Sequence, residues 1–155
     1  MKISSQDEYG LRLMLRLANT SSEEGLSIPQ LSEEEGLSEA YVAKLTRILR
    51  MSGLISSTRG HKGGYQLARP ADKIYVDEVL KAISGSLFDE DFCSNHTGGF
   101  RFCTHSVDCS VRSLWKVVQA TLDKLLSQIT LADLLGDEMG SVKMLNSLVE
   151  KALED

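Results

Sequence analysis

The segment Ile28–Pro70 reads IPQLSEEEGLSEAYVAKLTRILRMSGLISSTRGHKGGYQLARP. Ile28–Glu35 has the make-up of a short helix entered through Ser27, with Pro29 in its first turn, where a missing N–H costs nothing. Gly36-Leu37-Ser38 is a tight turn, and Gly36 can take the positive φ such a turn needs. Ser38 is suited to cap a second helix running to about Met51, which Gly53 stops. Its inner face is Val42, Leu45, Ile48 and Leu49. Its outer face begins with Glu39, Ala40, Ala43, Lys44 and Arg47. Helix, three-residue glycine turn, helix is the helix-turn-helix arrangement, whose second helix enters a DNA groove. Leu54–Thr58 then reads as a short strand, Arg59–Gly64 as a turn with three glycines, and Tyr65–Leu67 as the return strand, closed by Arg69-Pro70. A basic-tipped hairpin after a helix-turn-helix predicts a winged helix. The fold class expected is mainly α, with a two-stranded wing and a long dimerisation helix downstream.

Charge supports the same reading. From Ser38 to Arg69 there are six Lys/Arg (Lys44, Arg47, Arg50, Arg59, Lys62, Arg69) and one acid, Glu39, a net of +5. The rest of the chain has 11 bases and 21 acids, a net of −10. A basic island in an acidic chain is the footprint of a nucleic-acid-binding face. Lys44 and Arg47 are expected at the major groove, with Ser38, Glu39, Ala40 and Tyr41 near base edges or phosphates. Ala43 offers only apolar contact, of the kind that suits a thymine methyl. Arg59 is long enough for a minor groove, and Lys62 adds charge at the wing tip.

Working outward, Ser5–Asn19 shows apolar residues at helical spacing (Leu11, Met14, Leu15, Ala18), with Ser4 or Ser5 as cap. Val76–Ile83 is a short helix. Phe92–Ser110 is rich in Gly, Ser, Thr, Asn and Asp and carries no apolar period, so it reads as a loop. All three cysteines, Cys93, Cys103 and Cys109, lie in it at C-x9-C-x5-C spacing. Loop thiols are available for metal or redox chemistry. Ser110–Leu126 carries an apolar stripe (Val111, Leu114, Trp115, Val118, Leu122, Leu125, Leu126) long enough for dimerisation. A winged helix that reads a palindrome needs such a dimer. Leu131–Leu135 is a short helix, and Gly136–Asp155 a weakly amphipathic tail expected to be partly disordered. The domains expected are 1–75, the winged helix whose first helix also meets the partner subunit; 76–135, cysteine loop and dimerisation helix; and 136–155, the tail.

An apolar content of 42% is enough for a packed core. No stretch approaches the roughly 18 apolar residues of a membrane span, and the N-terminus lacks the apolar core of a secretory signal. The expectation is a cytoplasmic protein with reduced thiols, and an odd cysteine count agrees. No phosphate loop, catalytic triad or metalloprotease motif is present, so an enzyme is not expected.

The start MKISSQDEYGLRLML, the segment LSEAYVAKLTRILRMSGLISSTRGHKGGYQLARP, the three-cysteine loop, and CSVRSLW leading to ITLADLL together resemble the bacterial iron–sulfur regulators of the IscR/NsrR/RirA type, within the Rrf-two superfamily. The resemblance spans roughly residues 1 to 135. It implies a homodimer on palindromic double-stranded DNA. Operator affinity would be set by a [4Fe–4S] or [2Fe–2S] cluster that senses iron, oxygen or nitric oxide, with iron–sulfur assembly or iron homeostasis genes as targets. It implies that Cys93, Cys103 and Cys109 are cluster ligands. Members with a histidine three residues after the last cysteine have Arg112 in its place here, and guanidinium cannot ligate. Others use an acid at the eighth residue, which here is Glu8 of the partner subunit. His105 and His96 are rival fourth ligands. Two alternatives remain: a winged-helix regulator with zinc on the cysteines and a histidine, although zinc favours closer pairing than these gaps, and metal-free redox thiols beside Arg101 or His105.

Overall fold

A computed structural model of the chain describes residues 3–21, 25–58, 63–89 and 91–154. The chain divides into two compact units, Met1–Gly85 with Leu125–Asp155, and Ser86–Lys124.

In the first unit, helix α1 (Ser5–Ala18) begins at Ser4. The Ser4 hydroxyl accepts from the Asp7 N–H at 3.2 Å, and the Asp7 carboxylate accepts from the Ser4 N–H at 3.0 Å. This reciprocal capping box satisfies two N–H groups that a helix start otherwise leaves bare. Helix α2 (Ile28–Glu35) starts the same way with Ser27 and Gln30, and it carries Pro29 in its first turn. It stops at Gly36, whose φ of +66° is left-handed. Helix α3 (Glu39–Met51) is capped by Ser38 and left through Ser52 and Gly53.

These helices share one core. Leu13, Met14 and Leu17 of α1 meet Leu31 of α2 and Val42, Leu45 and Leu49 of α3, joined by Leu54, Ile55, Ile74, Val79, Ile83 and Leu131. Burying each side chain of this size stabilises the fold by about 1.5–3 kcal/mol. Two expected faces are rotated. The buried stripe of α1 is Gly10, Leu13, Met14 and Leu17, while Leu11, Leu15 and Ala18 are only half-buried. The cause is Gly10, which adds nothing to an apolar count yet lies against α4. A Cβ built there would fall 2.2 Å from Ile83 Cδ1. On α3, Thr46 is fully buried and Ile48 is not. The Thr46 hydroxyl tolerates burial because it donates to the Val42 carbonyl at 2.9 Å.

The wing consists of β1 (Ile55–Ser57) and β2 (Tyr65–Leu67), antiparallel, with Ile55 opposite Leu67 and Ser57 opposite Tyr65. Its turn end is closed by Thr58, whose N–H donates to the Gly64 carbonyl at 2.9 Å while its hydroxyl accepts from the Gly64 N–H at 2.9 Å. Leu26 bridges the other edge of Tyr65 through hydrogen bonds of 3.0 and 2.8 Å. Two glycines permit that approach. A Cβ on Gly25, at φ +78°, would lie 2.4 Å from the Tyr65 carbonyl oxygen, and one on Gly64 2.8 Å from the Leu26 backbone.

A 3-10 turn (Ala71–Lys73) leads to helix α4 (Val76–Ser84). The chain returns at Ile129–Leu131, where Ile129 and Leu131 are buried and backbone hydrogen bonds tie them to Val76 and Ile74. A second 3-10 turn, Ala132–Leu134, stands where a short helix was expected. Within the segment expected as a partly disordered tail, Glu138–Glu154 forms a helix of this unit, α7.

The second unit holds helix α5 (Phe92–Asn95), one turn within the expected loop, and most of helix α6 (Ser110–Leu126). The Phe88 N–H donates to Gln119 Oε1 at 3.0 Å. The Phe88 ring meets Phe92 at a tilt with centroids 5.2 Å apart, and Phe92 stacks on His96 at 4.2 Å.

Candidate nucleic-acid interface and thiol loop

Helix α3 presents Glu39, Ala40, Lys44 and Arg47 to solvent, with Tyr41 and Ala43 half-buried at the edge of the same surface. Ala40, Lys44 and Arg47 stand at i, i+4 and i+7 and therefore line one face. The Ser38 hydroxyl is committed to capping, accepting from the Tyr41 N–H at 3.3 Å. Arg47 makes no ion pair with any described residue. Lys44 is held: its Nζ donates to Gln6 Oε1 on α1 at 2.7 Å and sits 6.0 Å from the Tyr41 ring centroid. Tyr41 in turn meets the Tyr9 ring edge-on at 6.0 Å. Gln6 carries no sequence signal, because its partner is 38 residues away. Arg59 and Lys62 lie outside the described residues.

One member of the basic island already has an acidic partner. Arg69 forms a 2.7 Å ion pair with Glu78 of α4. The Arg69 guanidinium holds the Glu78 carboxyl below its ordinary range, against burial, which acts the other way.

Beneath this surface, Glu35 at the end of α2 is buried and accepts from Arg12 Nε and Arg16 Nε of α1, each at 2.8 Å. These bonds pin the helix-turn-helix corner to α1. Hydrogen bonding to Glu35 raises the Arg16 guanidinium's proton affinity further.

On α1, Glu8 is exposed and its carboxylate pairs with no described residue. Its neighbour Asp7 does the capping and also accepts from the Ser84 hydroxyl. Burial pushes the Asp7 carboxyl up, but hydrogen bonds from Ser4 and Ser84 outweigh it and hold the group below its ordinary value.

Cys93, Cys103 and Cys109 are all free thiols and half-exposed. Cys93 lies in α5. Cys109 immediately precedes α6, and its Sγ accepts from the Arg112 N–H at 3.3 Å. Arg112 serves the loop as a staple, its guanidinium donating to the Ser106 carbonyl at 3.2 Å. His96 stacks on Phe92, with Nδ1 2.9 Å from the Phe92 carbonyl oxygen. His105 is exposed. Among the described residues, no three His, Cys, Asp or Glu side chains converge on a point where a metal ion could sit. The three cysteines share one unit without forming a closed ligand set.

Comparison with known proteins decides the lineage. The family described as Rrf2, iron-dependent transcriptional regulator, matches residues 3–137. The chain belongs to the Rrf2 family. The protein rrf2 of Nitratidesulfovibrio vulgaris is 34% identical over 142 residues, covering 88% of this chain and 89% of that protein. The solved structure of T. potens IscR superposes with a TM-score of 0.66 at 34% identity, over 87% of this chain and 86% of that one. An oxidized form of Staphylococcus aureus CymR gives 0.65 at 31% identity, over 88% and 98%. The winged-helix fold and a DNA-binding, regulatory role are those of Rrf2 proteins. No helix of the described residues is long and apolar enough to cross a membrane.

An iron–sulfur cluster is the group that the sequence resemblance implies. The donor types present among the described residues suit such a group: three thiols outside any disulfide, one of them receiving a peptide N–H.

Proposed function

We propose that the protein is a homodimeric repressor or activator that binds palindromic DNA, with operator affinity set by an iron–sulfur cluster. Cys93, Cys103 and Cys109 would hold the cluster, with Glu8 of the partner subunit as fourth ligand. The observation that carries the reading is the set of three free, half-exposed thiols gathered in one unit of an Rrf2-family chain. Glu8 suits the remaining place because Asp7 already fills the helix-start role, leaving the Glu8 carboxylate exposed and uncommitted. Such a cluster supplies an iron site that answers to oxygen, nitric oxide or iron supply. The protein's part is to hold three sulfurs, orient Cys109 through the Arg112 N–H, and offer a weaker oxygen ligand whose exchange keeps the site labile.

Ser38, Glu39, Ala40, Tyr41, Ala43, Lys44, Arg47, Arg59 and Lys62 form the DNA surface in this reading, in a cytoplasmic regulator of iron–sulfur assembly or iron homeostasis genes. Dimerisation is supported by α6, where Val111, Leu114, Trp115 and Val117 are all exposed. Four large apolar side chains on one helix call for a partner.

Anaerobic purification followed by an absorption spectrum with iron and sulfide counts tests the cluster. Brown protein with matched iron and sulfide is expected, and Glu8→Ala should remain folded and dimeric while losing its cluster faster. Colourless protein without iron overturns the reading. A second reading, metal-free redox thiols, is favoured by the absence of a closed ligand set among the described residues and by the likeness to oxidized CymR. In that case peroxide would alter DNA binding of iron-free protein, and thiol reductant would restore it.

A further inference from the structure

The Lys44 ammonium projects from the exposed face of α3, yet it is held in place. It donates to Gln6 Oε1 at 2.7 Å, and the Tyr41 ring lies beneath it. Gln6 is fixed in turn, because its Nε2 donates to the Ile83 carbonyl, in the last turn of α4, at 3.3 Å. A carbonyl only accepts, and an ammonium only donates. The two ends of the Gln6 amide therefore cannot exchange places without losing both bonds. An amide wedged between α4 and α3 thus presents a fixed oxygen to a lysine on the recognition helix. Lysine carries three N–H donors. One is taken by Gln6, and two remain for a ligand.

We propose that Gln6 is a positioning residue for DNA binding: it orders the Lys44 ammonium before DNA arrives and leaves two of its donors directed outward. The inference rests on the reading of Lys44 as a DNA contact. A loose lysine loses rotamer freedom when it is immobilised against a phosphate or base. One already held by Gln6 and backed by Tyr41 loses less. Gln6 is recruited from outside the helix-turn-helix, so the DNA surface includes a residue of α1 that touches no DNA itself.

The test uses the full-length protein and a duplex that it selects from a random-sequence pool. Affinity is measured by fluorescence anisotropy across a salt series for the parent, Gln6→Ala, Gln6→Met, Lys44→Ala and the Gln6→Ala/Lys44→Ala double variant. Thermal melts establish that each is folded, and Gln6→Met keeps most of the side-chain volume. Lys44→Ala should weaken binding and reduce the salt slope by about one if the contact is to phosphate. Both Gln6 variants should weaken binding by roughly three- to tenfold at an unchanged salt slope, the scale of one side chain's ordering cost. The double variant should bind like Lys44→Ala alone. A structural tie between helices would instead lower the melting temperature and weaken DNA binding equally with or without Lys44. Additive losses in the double variant, or parent-like affinity in both Gln6 variants while Lys44→Ala is impaired, would overturn the role of Gln6. Unchanged binding by Lys44→Ala would remove the Lys44 reading and the Gln6 role together.

Discussion

Glu35 is buried to 4% side-chain exposure, whereas its partners Arg12 and Arg16 remain 43% and 40% exposed. That imbalance decides which half of the triad matters more. Removing Glu35 leaves two guanidinium groups that water can still reach. Removing both arginines leaves a carboxylate in a site that water barely enters. Arg12→Ala/Arg16→Ala should therefore cost about 3 kcal/mol, as for a buried charge stripped of its partners. Glu35→Ala should cost only about 1–2 kcal/mol, the scale of lost hydrogen bonds. Urea unfolding of the two variants gives the comparison, and a larger loss for Glu35→Ala would reverse the assignment. None of this was legible in the sequence. The two arginines stand 23 and 19 residues from Glu35, and the run Glu33-Glu34-Glu35 looks like any solvated acidic turn. Arg69 shows the same limit: a count of charges places it in the basic island, and its ion pair with Glu78 is visible only in the fold.

Elements were far more legible, because their signals are local. Ser4, Ser27 and Ser38 cap three helices, Gly36 and Gly53 follow two of them, and the period of the apolar residues does the rest. What the period missed was contact made by glycine. Gly10 admits Ile83, Gly25 admits Tyr65 and Gly64 admits the Leu26 backbone, yet a residue without a side chain registers in no apolar pattern. Alanine substitutions separate the two uses of glycine. At Gly36 a Cβ meets nothing within 4 Å, so Gly36→Ala should lose only the left-handed backbone cost of about 1–2 kcal/mol. Gly25→Ala adds a backbone collision to the same cost. It should be the more destabilising of the two in thermal melts and should loosen the wing, seen as faster amide exchange at Tyr65. Equal melting temperatures would mean that the wing base yields without penalty.

For the molecule as a whole, the exposed stripe on α6 carries the prediction of a dimer. A charge on that stripe, as in Leu114→Glu or Val117→Glu, should give monomers by light scattering that no longer hold a palindromic duplex. Particles of dimer mass from both variants would mean that the stripe serves some other contact. The site was only partly readable at this scale. The three cysteines announced themselves by type and setting, but the described residues do not bring them to one point, and local pattern does not encode how a Gly- and Ser-rich loop closes.

The bridge between Leu26 and Tyr65 also bears on how the protein behaves in a crowded cell. A two-stranded hairpin normally exposes two edges to any extended chain that drifts past. Here β2 is already engaged at Tyr65 on its far side, by the segment that leads into α2. The edge left over belongs to β1, only three residues long, two of them serine. The wing is thereby a poor template for strand-by-strand aggregation, and Gly25 and Gly64 are the residues that close its flank.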